Sequence, residues 1–158
     1  MRGTVRRYAE RDRQAVLDLA PRLTEGVAPW RSPAAVRAAV TGWVVEALER
    51  ADEPDRFVYV AELAGAVVGF VSGEQRSHWS GTSELYVGEL VVSPQHEGQG
   101  VGRALLGAVT AEAARLGLAS ITLDTGAANA QARAFYRAVG FAEEDVKLTK
   151  VLGGMIEG

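Results

Sequence analysis

The sequence predicts an α/β (α+β) fold in which helices cover both faces of a mixed central sheet. Apolar, β-branched segments alternate with stretches of helical periodicity along the 158 residues. Residues 57–62 and 67–73 flank an Ala64-Gly65 turn and read as an antiparallel hairpin. Residues 83–93 form a long strand that leads through a glycine-rich turn and a helix to another strand at 120–124. Such a strand–helix–strand unit is a right-handed parallel crossover, so the sheet contains both kinds of pairing.

The N-terminal part predicts one strand and two helices. Residues 4–8 form a short strand, and apolar residues at helical spacing predict a helix over 9–23 that breaks near Pro21. Ser32 is a typical N-cap and Pro33 suits the first helical position, so a second helix is expected over 33–50. The expected buried face of this helix consists of Val36, Val40, Trp43 or Val44, and Leu48.

The remaining elements follow from polarity and glycine positions. Polar residues 74–82 predict a loop, and the glycines in the strand before it, Gly69 and Gly73, are candidates for β-bulges. A turn and a helix are expected over 126–139, after which the chain returns as a strand from Phe141 with Val146 and Leu148 in apolar contacts. A single domain over residues 1–158 is therefore expected.

Composition restricts the class of protein. The net charge of -3 argues against nucleic-acid binding through a general basic field. The chain has no cysteine and only two histidines, so it offers no disulfide, no thiol nucleophile and little basis for a metal site. We see no signal-peptide core and no apolar run that would span a bilayer. A cytoplasmic location without a membrane partner is the expectation.

The stretch from Leu90 to Leu106 carries the clearest functional signal. Its strand ends before Pro94, which lacks a backbone N–H, and glycines follow at positions 98, 100 and 102. Glycine lets the backbone turn sharply and approach a ligand closely. The helix that follows begins with unpaired N–H groups at the positive end of its dipole. This combination suits the phosphate or pyrophosphate of a nucleotide-like cofactor.

Two well-known phosphate loops do not fit these residues. A P-loop closes with Gly-Lys-Ser/Thr, whereas Gly102 is followed by Arg103. The dinucleotide pattern G-x-G-x-x-G fails at Arg103 when it starts from Gly98, and at Leu105 when it starts from Gly100. Neither nucleotide triphosphate hydrolysis nor dinucleotide binding is therefore favoured.

The same loop resembles the acyl-CoA loop of the GNAT superfamily of N-acetyltransferases, Gln/Arg-x-x-Gly-x-Gly/Ala. Both glycines of the pattern are present at Gly100 and Gly102, while Glu97 stands where the pattern has Gln or Arg. Residues 129–141 also match every fixed position of the family's second signature, Asn-x-x-Ala-x-x-Phe-Tyr-x-x-x-Gly-Phe. The resemblance covers residues 89–141 and is carried by two motifs at the expected separation.

This resemblance implies a GNAT-like, mostly antiparallel sheet that splays between the strands at 89–92 and 120–124. It implies acetyl-CoA as the cofactor, with the pantetheine arm in the split, paired with strand backbone, and the pyrophosphate on the N–H groups of the glycine loop. Asn129 would bond the pantetheine arm or the cofactor backbone. Arg133 would reach the CoA phosphates, the alternative being a plain surface arginine of the helix. The expected cofactor-binding residues are Leu90, Val91, Val92, Gln99, Gly100, Val101, Gly102, Arg103, Ala104, Asn129 and Arg133.

Glu89 and Tyr136 are the candidate catalytic residues. An amine is mostly protonated at neutral pH, so it has to lose a proton before it attacks a thioester. Glu89, next to the pantetheine-pairing strand, is the candidate base, acting through a water, with Glu84 in reserve. Tyr136 stands at the family's position for the acid that protonates the leaving CoA thiolate. The alternatives are an ammonium-binding or plain strand carboxylate for Glu89 and a buried structural tyrosine for Tyr136.

Two functions remain open on the sequence. One is an acetyl-CoA-dependent N-acetyltransferase that transfers acetyl directly to a primary amine of a small molecule, peptide or protein, because no cysteine is present to form an acyl-enzyme. The other is a non-catalytic acyl-CoA-binding sensor or regulatory module on the same fold. A homodimer that pairs through the last strand is a further expectation. The residues expected on the acceptor side are Trp30, His78, Trp79 and Tyr86.

Overall fold

The computed structural model describes residues 1–153 and contains a five-stranded sheet with strand order β1-β2-β3-β4-β5. Strands β1 to β4 pair antiparallel with their neighbours, whereas β4 and β5 are parallel. The predicted mixed, mostly antiparallel sheet is confirmed. The strands are β1 Thr4–Arg7, β2 Arg56–Leu63, β3 Ala66–Ser77, β4 Ser83–Val92 and β5 Ile121–Leu123.

Four α-helices accompany the sheet within the described residues: α1 Arg13–Leu19, α2 Pro33–Glu49, α3 Val101–Arg115 and α4 Ala130–Ala138. The helix predicted over 9–23 is shorter than expected, because 3-10 turns at Glu10–Asp12 and Ala20–Thr24 flank α1. Pro21 lies in the second turn, where its missing N–H disfavours a continued α-helix. The cap of α2 is as predicted, since the Ser32 hydroxyl accepts from the Ala35 N–H at 3.3 Å.

The sheet separates two apolar layers, which confirms that helices cover both of its faces. α3 packs on one face, and α1 with α2 packs on the other. On α2 the buried position is Val44, whereas Trp43 is 58% exposed, so the first alternative of the prediction was wrong. The α3 layer centres on Phe57, Val71, Leu85, Val87, Val101, Leu105 and Val109, and the α1–α2 layer on Val16, Val44, Leu48, Val58, Val60, Phe70 and Val91.

β3 is longer than its polarity suggested. Residues 74–77, predicted as part of a loop, continue the strand and pair with residues 83–86 of β4. Their backbone hydrogen bonds are satisfied by the neighbouring strand, while Arg76 and Ser77 remain exposed at the end of the sheet. Strand pairing therefore outweighed the low β-propensity of these residues.

The strand predicted from Phe141 onward was wrong for the described part of the chain, because residues 141–153 form no strand. Val146 is 75% exposed and Leu148 is 89% exposed, so neither makes the expected core contacts. β5, the neighbour that such a strand would pair with, is only three residues long and pairs with β4. A strand beside so short a neighbour would gain only a few backbone hydrogen bonds, which stabilise it little. Residues 154–158 lie outside the described residues, and no helix within 1–153 is long and apolar enough to cross a membrane.

Candidate active site

β4 and β5 separate beyond Val87, in the place where the sequence predicted a split. Residues 85–87 pair with residues 121–123 of β5, whereas β4 continues to Val92 with β3 as its partner. The far edge of β4 therefore opens into a cavity of about 500 Å³. The glycine loop, the start of α3 and one side of α4 form the other walls of this cofactor cavity.

The orientation of the backbone determines which residues of β4 can form hydrogen bonds with an extended ligand in the cavity. Backbone groups of successive residues in a strand face opposite edges. The Ser93 N–H donates to a β3 carbonyl at 2.7 Å, so Val91 also faces β3 and the residues on either side face the cavity. In agreement, the Val92 carbonyl accepts from the Arg22 guanidinium rather than from β3. Leu90 and Val92, and not Val91, thus offer backbone groups to the cofactor cavity.

The glycine loop has the backbone conformation that its sequence requires. Gly98 and Gly100 have φ values of +74° and +83°, in the left-handed region that favours glycine. The Ala104 N–H already donates to the Gly100 carbonyl at 3.0 Å, so this expected phosphate donor is used within the helix. Helix geometry leaves the N–H groups of residues 101–103 without an intrahelical partner. Gln99, another expected donor, is not among the residues that line the cofactor cavity.

α4 closes the cofactor cavity by packing directly on the glycine loop. A Cβ on Gly102 would lie 3.1 Å from the Phe135 ring, so the second glycine of the motif lets α4 approach. The Asn129 Oδ1 accepts from the Ala132 N–H at 3.1 Å and caps α4, which leaves its NH₂ as the group available to a ligand. A Cβ on Gly26 would overlap Asn129, so the loop before α2 also packs on this helix start.

Tyr136 lies at the boundary between the cofactor cavity and a second, larger cavity, because it lines both. Its ring packs between Phe135 and Phe141, with centroid distances of 5.4 and 5.6 Å. Burial raises the pKa of the Tyr136 hydroxyl above its ordinary value. The hydroxyl therefore stays protonated at neutral pH, as a proton donor has to be.

The larger cavity, of about 1510 Å³, contains the residues expected on the acceptor side: Trp30, His78, Trp79 and Tyr86 all line it. The Tyr86 hydroxyl donates to Asp124 at 2.9 Å, and the Arg76 guanidinium lies 3.6 Å from the centre of its ring. Burial and the Asp124 carboxylate raise the pKa of Tyr86 to about 12. Within the described chain, no group of three or more His, Asp or Glu side chains could hold a metal ion.

A β-bulge determines which way Glu89 faces. Ser72 pairs with Glu89 while its neighbour Gly73 pairs with Val87, so Gly88 is an extra residue in β4. The extra residue inverts the alternation of side chains along the strand. Glu89 thereby shares a face with Tyr86 instead of pointing into the apolar layer under α3. The bulge lies opposite Gly73, one of the two glycines at which a bulge was predicted.

Glu89 is set back from both cavities. Its carboxylate accepts from the Ser72 hydroxyl, and it is not among the residues that line either cavity. Burial raises the pKa of Glu89, whereas the Ser72 hydrogen bond and the nearby Arg56 charge oppose this rise. Glu84, the reserve candidate, does line the larger cavity. A base role for Glu89 stays a prediction and needs the intervening water that was expected for it.

Arg22 lines the cofactor cavity together with the glycine loop, whereas Arg133, which was expected there, does not. Arg133 pairs with Glu143 at 2.7 Å and lines the larger cavity, not the cofactor cavity, so its contact with CoA phosphates also stays a prediction. Arg22, which sequence reasoning missed, lines the cofactor cavity and pairs with Glu97 at 2.6 Å. The one available signal was Glu97 itself, since an acid in a phosphate loop needs a neutralising partner.

A sequence comparison identifies the family. The profile of the Acetyltransferase (GNAT) family matches residues 24–141, which include both motifs described above. The chain belongs to the GNAT family. The resemblance drawn from the glycine loop and from residues 129–141 is thereby confirmed.

Curated relatives of this GNAT chain carry acetyltransferase names. An aminoglycoside N(6')-acetyltransferase type 1 of Stenotrophomonas maltophilia is 40% identical over 85 residues, which are 51% of this chain and 56% of that protein. N-acetyltransferase family 8 member 2 of Rattus norvegicus is 37% identical over 84 residues, 52% of this chain and 37% of that protein. The chain thus spans about half or less of the length of these relatives.

Solved structures share the GNAT fold over nearly the whole chain. A putative acetyl transferase from Pyrococcus furiosus superposes with a TM-score of 0.76 at 16% identity, covering 95% of this chain and 99% of that one. AAC(6')-Iy, solved with the bisubstrate analog CoA-S-monomethyl-acetylneamine, gives a TM-score of 0.73 at 18% identity and covers 96% and 99%. At these identities the likeness establishes the fold alone.

Proposed function

We propose that this chain is an acetyl-CoA-dependent N-acetyltransferase that transfers acetyl directly to a primary amine of a small molecule or peptide. The observation that carries the proposal is the position of Tyr136, which lines both the cofactor cavity and the larger cavity. A residue at this boundary can reach a thioester that enters from one side and an amine that enters from the other.

The cofactor cavity fits the chemistry of acetyl-CoA. The free N–H groups at the start of α3 suit the pyrophosphate, and the open edge of β4 at Leu90 and Val92 suits the amides of the pantetheine arm. The Asn129 NH₂ adds a donor on the opposite wall. When bound, acetyl-CoA supplies an acetyl group that is activated as a thioester.

Tyr136 and Glu89 have complementary proton roles in this proposal. Tyr136 holds a proton on its hydroxyl oxygen and donates it to the sulfur that leaves. Glu89 accepts a proton from the amine through a water, since its carboxylate is set back behind the cavity wall. A carboxylate whose pKa is raised by burial is a stronger base than an exposed one, which supports this role.

The larger cavity favours an acceptor of low net charge. Its aromatic rings and its carboxylates at Glu84 and Asp124 suit an ammonium group. Basic side chains balance the carboxylates, however, so the cavity lacks the acidic excess that a polycationic acceptor needs. One curated relative is named for an aminoglycoside acceptor, yet this balance favours a monoamine or a peptide N-terminus. The carboxylates are Glu84, Asp124, Glu143, Glu144 and Asp145, and the basic residues are Arg31, Arg76, Arg103, Arg133, Arg137 and Lys147.

The test is thiol release from acetyl-CoA across a panel of monoamines, peptides and aminoglycosides. Tyr136→Phe and Glu89→Gln should each lower kcat by about 10²-fold or more, the range of general acid–base catalysis, while CoA affinity survives. Tyr59→Phe and Glu62→Gln are matched controls, because both residues lie on β2 and line neither cavity.

The outcomes separate the alternatives. Turnover that depends on Tyr136 supports the proposed acid. A greater loss in Glu84→Gln than in Glu89→Gln would move the base role to Glu84. Tight CoA binding without turnover on any acceptor of the panel would favour a binding module, and no CoA binding would contradict the proposal as a whole.

A further inference from the structure

Arg22 occupies the mouth of the cofactor cavity although it comes from the N-terminal part of the chain. It lies in the 3-10 turn after α1, and its side chain is 23% exposed. Its guanidinium pairs with Glu25 at 3.1 Å and with Glu97 at 2.6 Å, and it also donates to the Val92 carbonyl. One side chain thus bridges the N-terminal turn, the end of β4 and the glycine loop.

Glu97 creates an electrostatic conflict in this loop. The loop and the first turn of α3 present N–H groups suited to phosphate, yet Glu97 and Glu25 place two carboxylates on the same cavity. Like charges at close range repel, so either carboxylate would oppose the approach of a pyrophosphate. Arg22 holds the pKa of Glu97 below its ordinary value, so this carboxylate is charged at neutral pH. A cation beside Glu97 offsets this repulsion and so favours pyrophosphate binding.

Arg22 forms its hydrogen bonds at places where CoA is expected to bind. The Val92 carbonyl faces the open edge of β4, where the pantetheine arm is proposed to pair. The same guanidinium has its other end on Glu97, at the entrance of the glycine loop. A planar guanidinium binds a carboxylate and a phosphate with the same two-pronged geometry, so one anion can replace the other without a new donor.

We propose that Arg22 binds the pyrophosphate of CoA, and that Glu97 holds its guanidinium at the loop until CoA replaces the carboxylate. The inference rests on the proposed function, because it needs CoA in the cofactor cavity. It assigns to the N-terminal turn the cationic contact that a glutamate at position 97 cannot make itself.

The experiment measures binding of CoA and dephospho-CoA by calorimetry and of pantetheine by NMR titration. Arg22→Ala should raise the Kd for CoA by about tenfold or more, the loss expected for one hydrogen bond between charged groups. Dephospho-CoA keeps the pyrophosphate and should lose affinity equally, whereas pantetheine has no phosphate and should bind both proteins alike. Arg50→Ala is the matched control, since Arg50 also pairs with two glutamates, Glu46 and Glu53, but lies at the end of α2.

A double substitution separates phosphate binding from simple neutralisation of Glu97. In a Glu97→Gln background, Arg22→Ala should still cost about tenfold or more in CoA affinity. The inference is overturned if Arg22→Ala no longer lowers CoA affinity in that background. It is also overturned if Arg22→Ala lowers the affinity for pantetheine equally. A third contrary result is a loss of affinity for CoA but not for dephospho-CoA, which would assign Arg22 to the 3′-phosphate. If the natural protein and Arg22→Ala bind CoA equally, the inference fails alone. If the natural protein does not bind CoA, the proposed function fails as well.

Discussion

At Glu89, two effects act on the same carboxyl in opposite directions. Burial raises its pKa, and the hydroxyl of Ser72, which is 1% exposed, lowers it by donating to the charged form. The bulge at Gly88 is what brings these two side chains together across β3 and β4. The strength of the proposed base thus depends on a neighbour that lines neither cavity.

The first prediction uses this coupling. A base works only when it is deprotonated, so kcat/KM should fall as the pH drops through the raised pKa of Glu89. Ser72→Ala removes a donor to the carboxylate, so the pKa should rise further and the acid limb should move to higher pH. The pH profile of kcat/KM measures this shift, with Ser83→Ala on the exposed start of β4 as the control. An unchanged acid limb in Ser72→Ala would argue against Glu89 as the base.

The pKa of Asp12 is shifted in the opposite direction to that of Glu89, and its ion pair stabilises the fold. It is 4% exposed, accepts from Arg6 at 2.7 Å and also accepts from the Ala9 N–H at 2.9 Å. The Arg6 hydrogen bond lowers the pKa of Asp12 in the folded state. This ion pair ties β1 to the turn before α1.

The second prediction follows from that lowered pKa. Because the folded state favours the charged form, the pair stabilises the fold above the unfolded pKa of about 3.9, and this stability is lost as the pH falls through the folded pKa. Asp12→Asn should lower the free energy of unfolding by about 2 kcal/mol or more at pH 7, and the difference from the natural protein should shrink in acid. Denaturant unfolding at several pH values measures it, with Asp52→Asn on an exposed turn as the matched control.

At the scale of elements, glycines with different surroundings should respond to alanine with opposite signs. Gly42 lies within α2, and a Cβ there would meet nothing within 4 Å. Gly73 lies within β3, and a Cβ there would overlap the Tyr86 carbonyl oxygen and lie 2.6 Å from the Phe57 ring. Gly42 lowers the stability of α2, and no close neighbour requires a glycine there. Gly73, in contrast, allows β3 and β4 and the Phe57 ring to pack closely.

The third prediction tests that contrast. Gly42→Ala should raise the free energy of unfolding by about 0.5–1 kcal/mol, the usual helix-interior difference between these residues. Gly73→Ala should lower it, because the added methyl group displaces either β4 or Phe57 from the core. Urea unfolding of the two variants beside the natural protein measures both. A destabilising Gly42→Ala would contradict the conclusion that this glycine has no packing role in α2.

The packing of α4 on the glycine loop couples two elements that the sequence presents as separate motifs. Phe135 lies against Gly102, and Asn129 lies against Gly26. The two signatures of the family thus meet around one cavity, and the loop before α2 closes against them. Substitutions in the loop before α2 are therefore expected to change the affinity for the proposed cofactor as well as for the proposed acceptor.

At the scale of the whole molecule, the balance of charge in the larger cavity decides the fourth prediction. Acidic and basic side chains are nearly equal in number there, and the chain carries a net charge of only -3. Polycationic amines should therefore gain little from electrostatic steering, and their kcat/KM should fall below that of monoamines or peptide N-termini. Rates measured at low and high salt check this. A polycation that is preferred, with a rate that falls steeply as salt rises, would contradict it.

Much of the fold could be predicted because its causes are local. The Ser32 cap, the Ala64-Gly65 turn and the positive φ values at Gly98 and Gly100 depend on residues adjacent in the chain. Apolar spacing likewise identified Val40 and Leu48 as part of the buried face of α2. Motif spacing alone was enough to recognise the GNAT family and to point to Tyr136.

Only the tertiary structure decided the features that depend on contacts between distant segments. Strand pairing extended β3 through residues 74–77, whereas residues 141–153, with only the three-residue β5 at that edge of the sheet, form no strand. A single extra residue in β4 reversed the facing of Glu89, and the fold brought Arg22 to Glu97 across 75 positions of sequence. Local patterns encode conformation and periodicity, but register and long-range ion pairs exist only once the chain has packed.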